Sequence, residues 1–178
     1  MTFLLERDYG ISLPRWMALE LAPAVQAVSE TVSGELSSQR IREVLTETFS
    51  RHEPLSLTGY RLDRDADESL TVSLNDAGRA VRLSGQGNGV ISSFMTAWQT
   101  HTGQSVSVVD YSEHALGEGS DAVAIAFVQL NVGGQRISGM AEDGDTVSAS
   151  LKAVLSALNR AGHQGTMSEL AAEAQASA

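Results

Sequence analysis

Cysteine is absent from the 178 residues, so disulfides and thiolate metal sites are excluded. Basic side chains are scarce. Twelve Lys and Arg stand against twenty-two Asp and Glu, giving a formal net charge of −10 and a pI near 4.7. A nucleic-acid partner needs a basic face to neutralise its phosphates, and this balance does not supply one. No apolar run reaches the roughly eighteen residues that a membrane-spanning helix requires. The opening MTFLLERDYG sets Glu6, Arg7 and Asp8 directly after a short apolar run, unlike a secretory signal. His52, His101, His114 and His163 are scattered without ligand spacing, so no metal site is expected. These absences leave no nucleic acid, no membrane and a cytoplasmic location as the expectation.

What is present describes a globular chain. Hydrophobic residues make up 42% and mean hydropathy is −0.07, enough to bury a core in one domain, with or without a small appendage. Residues 1–53 read as a helical subdomain. LPRWMALELAPAVQAVSETV places Trp16, Leu19, Val25 and Val28 at helical intervals, with Pro23 expected to kink or break the run. SSQRIREVLTETFSRH is cleaner: Ser37 or Ser38 can cap it, and Ile41, Val44, Leu45 and Phe49 form one stripe.

After Pro54 the period changes. LSLTGYRL, SLTVSL and RAVRLS alternate as half-buried strands do, with NDAG (75–78) as a turn. A glycine-rich stretch follows, then a helix with Ile91, Phe94, Met95 and Trp98 on one face and Gly103 at its end. The pattern repeats. SVSVVDY and AVAIAFVQLNV read as strands, Gly133-Gly134 as a hairpin turn and QRISGMA as the return strand. The helix TVSASLKAVLSALNRAG carries Leu151, Val154, Leu155 and Leu158 on a stripe, with Gly162 as its expected stop. The fold class expected is therefore α+β: duplicated βββα units over 54–164, two antiparallel sheets each covered by a helix. The stretch 165–178 is small and polar enough to be a disordered tail.

The stretch SGQGNGVISSFMTAW (84–98) is the main candidate site. A dinucleotide fingerprint would need a third glycine at 90, where Val90 stands, and an apolar preceding strand rather than the alternating RAVRLS. Two readings remain open: a tight turn that merely enters a helix, or a small carboxylate held by the free N–H groups of the first helical turn. In the second, Gly87 and Gly89 are expected to let backbone approach the ligand. The segment DYSEHALGEGSDA (110–122) gathers Asp110, Glu113, His114, Glu118 and Asp121 in what reads as one solvated loop, without the oxygen ladder of a calcium site. Tyr111 can wall a pocket with its ring. No nucleophile, base and oxyanion donors assemble, so no catalytic residue is assigned.

Three segments together, GQGNGVISSF, VVDYSEHALGEGSDAVAIAFV and TVSASLKAVLSALNRA, closely resemble the C-terminal regulatory domain of 2-isopropylmalate synthases, the acyltransferases of leucine biosynthesis. ERDYGISLPRWMALELAPAVQAVSE and GELSSQRIREVLTETF resemble the helical linker ahead of it, so the likeness runs to about Gly162. The resemblance implies an excised or stand-alone regulatory piece, inactive without the catalytic barrel. The parent's divalent metal and acetyl-CoA belong to that barrel, whose paired histidines and acids have no counterpart here. It implies a homodimer that binds L-leucine for feedback inhibition and passes the signal to the barrel. By resemblance, Asn88, Gly89, Ile91 and Ser92 contact leucine, Val108, Tyr111 and Ala115 wall it, and Ala122 and Ala124 leave room for its side chain. Asp110 or loop carbonyls are the options for its ammonium. Val90 and Ser92 depart from the family's usual proline and frequent alanine. The rivals are an isoleucine sensor of the citramalate synthase type and a purely structural dimerisation module.

Overall fold

The computed structural model describes residues 1–65 and 68–176, with side chains through Gly162. Three helices come first: α1 (Thr2–Tyr9), α2 (Arg15–Thr31) and α3 (Ser38–Phe49). The first βββα unit is β1 (Leu55–Arg64), β2 (Glu68–Asp76), β3 (Arg79–Gln86) and α4 (Val90–Thr102). The second is β4 (Val106–Leu116), β5 (Val123–Val132), β6 (Gln135–Asp143) and α5 (Thr146–Ala176). Each unit is an antiparallel meander, in the orders β1-β2-β3 and β4-β5-β6, so the expected α+β duplication is what the chain forms. Its hairpins have matching turns. Ala77 and Gly78 (φ 49° and 92°) join β2 to β3, and Gly133 and Gly134 (φ 58° and 84°) join β5 to β6. Positive φ at both central residues matches the right-handed twist of paired strands.

The two units share one core. Leu70, Val72, Leu74 and Leu83 of the first sheet pack with Phe94 of α4, with Ala126, Val128 and Leu130 of β5, and with Leu151, Val154, Leu155 and Leu158 of α5. The second sheet is covered on its other face too, where Ile125, Phe127 and Met140 meet Leu5, Met17, Leu21, Ile41, Leu45 and Phe49 of the three helices. Burial on both faces accounts for the nearly continuous apolar run of β5. The first sheet instead turns Thr71 and Ser84 outward, where their hydroxyls pair at 3.0 Å.

Several local expectations meet a different outcome. Pro23 neither breaks nor ends α2, which runs through it. It stands on the exposed side, where the carbonyl it leaves unbonded faces outward. Leu19 is 66% exposed, and Met17 and Leu21 take the buried stripe instead. Ser37 caps α3 by accepting from Arg40 N–H, and the α3 stripe is buried as expected. Gly162 does not stop α5, since a glycine within a helix costs only about 1 kcal/mol. The expected tail lies outside the residues whose side chains are described.

Two glycines set how each helix lies on its sheet. A Cβ on Gly85 of β3 would stand 2.4 Å from Ser93 O and 2.5 Å from Ala97 N of α4. A Cβ on Gly139 of β6 would stand 2.4 Å from Ala153 O and 2.5 Å from Ala157 N of α5. The same contact recurs in both units, although the second places six more residues between glycine and helix contact. Those residues lengthen β6 and start α5 one turn earlier relative to the contact. Gly85→Ala and Gly139→Ala should each lower stability by about 1–3 kcal/mol by forcing helix from sheet. Gly59→Ala, with nothing within 4 Å, should change little. Chemical denaturation of the three variants checks this.

Candidate functional site

The turn after β3 delivers α4 with a bare start. Gly89, at φ 123°, occupies the N-cap position and offers no side-chain acceptor. The first bond of the helix runs from Ser93 N–H to Gly89 O at 3.0 Å, so the N–H groups of Val90, Ile91 and Ser92 precede it. Among the described residues, none of these three donors meets an acceptor. The matching start of α5 is closed. Asp145 accepts from Ser148 N–H at 2.9 Å, from Ser148 Oγ at 2.8 Å and from Tyr60 Oη at 2.8 Å. Burial works to raise the Asp145 carboxyl, but the bonds from Tyr60 and Ser148 outweigh it and hold the carboxyl below its ordinary value. Of the two equivalent helix starts, only that of α4 has its positive pole open to a ligand.

The glycines divide their work differently from the expectation. The side of Gly87 that would carry a Cβ faces Ser92 Oγ at 2.5 Å and Ser93 N at 2.8 Å. Its missing side chain therefore admits the first turn of α4, not a ligand. Gly89 has nothing within 4 Å on that side, and it carries the left-handed backbone that swings the chain into the helix.

The open start borders a groove of about 320 Å³. Asn88 to Ser92 form one side, Tyr111 and Glu113 of β4 the floor, and Thr146, Val147 and Ser150 of α5 the other side. Thr146 and Val147 belong to the turn by which α5 outreaches α4. A larger depression of about 820 Å³ beside His52, Pro54 and Gly78 is edged by loops and hairpin turn and presents no open helix start.

DYSEHAL is not a loop. β4 continues to Leu116, leaving 117–122 as the connection. The alternation within YSEHAL was hidden by its charges. Tyr111 pairs with Val128, Glu113 with Ala126 and Ala115 with Ala124, which puts all three on the face of the shared core. Ser112 and His114 face the three helices. There His114 Nε2 lies 3.1 Å from Ser12 N and 3.2 Å from Gly10 O, in the α1–α2 connection. The acids expected to cluster are thus separated: Glu113 is in the strand, and Asp110 sits beside the bulge, accepting from Tyr111 N–H at 2.8 Å. Asp110 does not line the groove.

Tyr111 Oη donates to Glu113 Oε2 and lies 2.6 Å from Ser150 Oγ. Burial, then the bond to Glu113, push the Tyr111 phenol up to about 12, although Ser150 opposes this. Among the nominated positions, Asn88, Gly89, Ile91, Ser92 and Tyr111 line the groove. Ala115 and Ala124 sit opposite one another farther along the same sheet face. Val108, 38% exposed, lies at the other end of that face, and Ala122 is in the 117–122 connection. Thr146, Val147 and Ser150 were not expected at the groove, and Glu113 was expected in a solvated loop. Only the alternation in β4 and the polar Ser150 within an apolar helix stripe pointed to them.

Residues 35–162 match the family model described as the LeuA allosteric (dimerisation) domain. The chain belongs to the LeuA allosteric (dimerisation) domain family. The matched span contains the groove, both βββα units and α3. The chain is 37% identical over 163 residues to a 2-isopropylmalate synthase of Thermobifida fusca (90% of this chain, 28% of that protein). It is 34% identical over 171 residues to one of Mesorhizobium japonicum (90% and 30%) and 34% over 166 residues to one of Mycobacterium leprae (90% and 27%). It thus spans less than a third of the length of these curated relatives. Among the described residues, no helix is long and apolar enough to cross a membrane.

The environment of Tyr111 favours its protonated form in the fold. That stability is complete below the ordinary tyrosine value near 10 and is lost as pH rises towards about 12. Phenolate absorbance should show one tyrosine titrating near pH 12 that is missing in Tyr111→Phe, and the variant should lose less stability over that interval.

Proposed function

We propose that this domain senses a branched-chain amino acid, L-leucine, as the regulatory and dimerising part of a 2-isopropylmalate synthase. The observation that carries the reading is the open start of α4, three unpaired N–H donors at the mouth of a groove, in a chain of an allosteric domain family. The effector's carboxylate takes those donors. Ala115 and Ala124, small and farther along the same sheet face, leave space for its aliphatic end. Burying a leucine side chain contributes about 2 kcal/mol and charge-assisted bonds to the carboxylate about 1.5–3 kcal/mol, which after association costs corresponds to micromolar binding.

The dimer follows from the family description and from β4. This edge strand exposes Val108 and Val109, 38% and 39% accessible, at its bulge. A second copy laid along β4 removes them from water and closes the groove. Feedback inhibition then works by linkage: leucine favours one arrangement of the pair. β4 presents Tyr111 to the groove and His114 to the helical segment, so a movement of the strand reaches both. The condensation of acetyl-CoA with 2-oxoisovalerate belongs to a catalytic barrel in the full-length enzyme, and this chain alone should not perform it.

Calorimetry with leucine, isoleucine and valine tests the reading. Leucine should bind at micromolar concentration and raise the melting temperature, and light scattering should give a dimer. Tighter binding of isoleucine would reassign the effector. A dimer that binds none of the three would leave only a structural module. Gly89→Asp should abolish leucine binding without dissolving the dimer, because it places a carboxylate in the anion seat. Gly89→Ala controls for the strain of φ 123°. Equal loss in both variants would count against the electrostatic argument.

A further inference from the structure

Glu113 is not needed to explain how a carboxylate is held, yet it shares the groove with the open start of α4. Its Oε2 accepts from Tyr111 Oη and lies 3.3 Å from Ser150 Oγ, so strand and helix both fix its position. Among the described residues no lysine or arginine pairs with Glu113, and none lines the groove. The hydroxyls orient the carboxylate without neutralising it. Along one groove there is thus a pole that favours negative charge and a fixed carboxylate that favours positive charge.

We infer that Glu113 makes the groove selective for zwitterions: it accepts the ammonium of an α-amino acid and repels the 2-oxo acid of the same carbon skeleton. The inference rests on the amino-acid reading above and adds to it the group that distinguishes an amino acid from its oxo counterpart. Both compounds carry the carboxylate that α4 holds, and both carry the same aliphatic end. They differ only at the α-carbon. There an ammonium adds a charge-assisted bond to Glu113, while a carbonyl oxygen meets its negative charge with lone pairs. Glu113 is itself exposed in the single chain, so the discrimination comes from the sign of its charge. The sensor can then report an aminated end product among oxo acids of similar form.

The test measures binding of leucine and of 4-methyl-2-oxopentanoate to the wild-type chain and to Glu113→Gln by calorimetry. Glutamine keeps an oxygen to accept from Tyr111 and removes the charge. The wild-type chain should prefer leucine by about 2- to 5-fold, the range of an ion pair at an exposed carboxylate. In Glu113→Gln leucine should weaken by a similar factor, and the oxo acid should bind more tightly than to wild type. Equal binding of both compounds to wild type overturns the inference, and this comparison stands even where the variant fails to fold. Unchanged leucine affinity in a folded Glu113→Gln overturns the role of Glu113 and leaves leucine sensing intact. Failure of leucine to bind wild type overturns both.

Discussion

The contact of a side-chain-free strand with a helix backbone governs this structure. Gly85 meets α4 and Gly139 meets α5 at matching distances, closer than any Cβ would permit. Once each helix is seated in that way, the length of chain between contact and helix start decides what lies beyond. In the first unit the helix starts less than a turn before its contact at Ser93 and opens bare at Gly89. In the second it starts a turn earlier, is capped by Asp145, and overhangs its neighbour. The groove is the difference between two copies of one arrangement.

Duplication also accounts for the unequal faces of the two sheets. The first keeps a polar outer surface, while the second is enclosed between α5 and the three N-terminal helices. β4, at the edge of that enclosed sheet, therefore carries residues for two purposes in alternation. Tyr111, Glu113 and Ala115 lie on the sheet face of the shared core, the first two at the groove, and Ser112 and His114 face the helical segment. The chain crossing from α3 into β1 is held by the buried Asn159 of α5. Its side chain accepts from Leu55 N–H and donates to the carbonyls of Arg51 and Leu55 at 2.9 Å. Ser156 lies 3.2 Å from Arg51 N and O. Buried side-chain bonds of this kind fix a joint, because breaking one strands a polar group without water. The helical segment and the duplicated domain are thereby one packed body around α5.

At the candidate site, charge distinguishes the groove more than shape does. The groove is open and modest in size, and larger depressions exist. What separates it is that unpaired donors and an unneutralised carboxylate share its lining. The hydroxyls of Tyr111 and Ser150 aim the carboxylate.

Sequence by itself determined the elements and their order. Periodicity separates the helical first third from the strands, paired turn residues mark both hairpins, and the stripes of α3 and α5 identify their buried faces. Those signals are local, since they come from neighbours on one helix or one strand. The resemblance added the family and five residues that line the groove. Tertiary structure decided the rest. Whether Gly87 serves a ligand or a helix depends on Ser92 folding back over it, and no spacing reveals that. Whether Glu113 belongs to a loop or a groove depends on the register of β4 with β5. Thr146 and Val147 reach the groove only because α5 starts a turn early, a consequence of where Gly139 touches it. A chain pattern records what each segment prefers, whereas a groove is made by segments far apart in sequence, and its position follows from their packing.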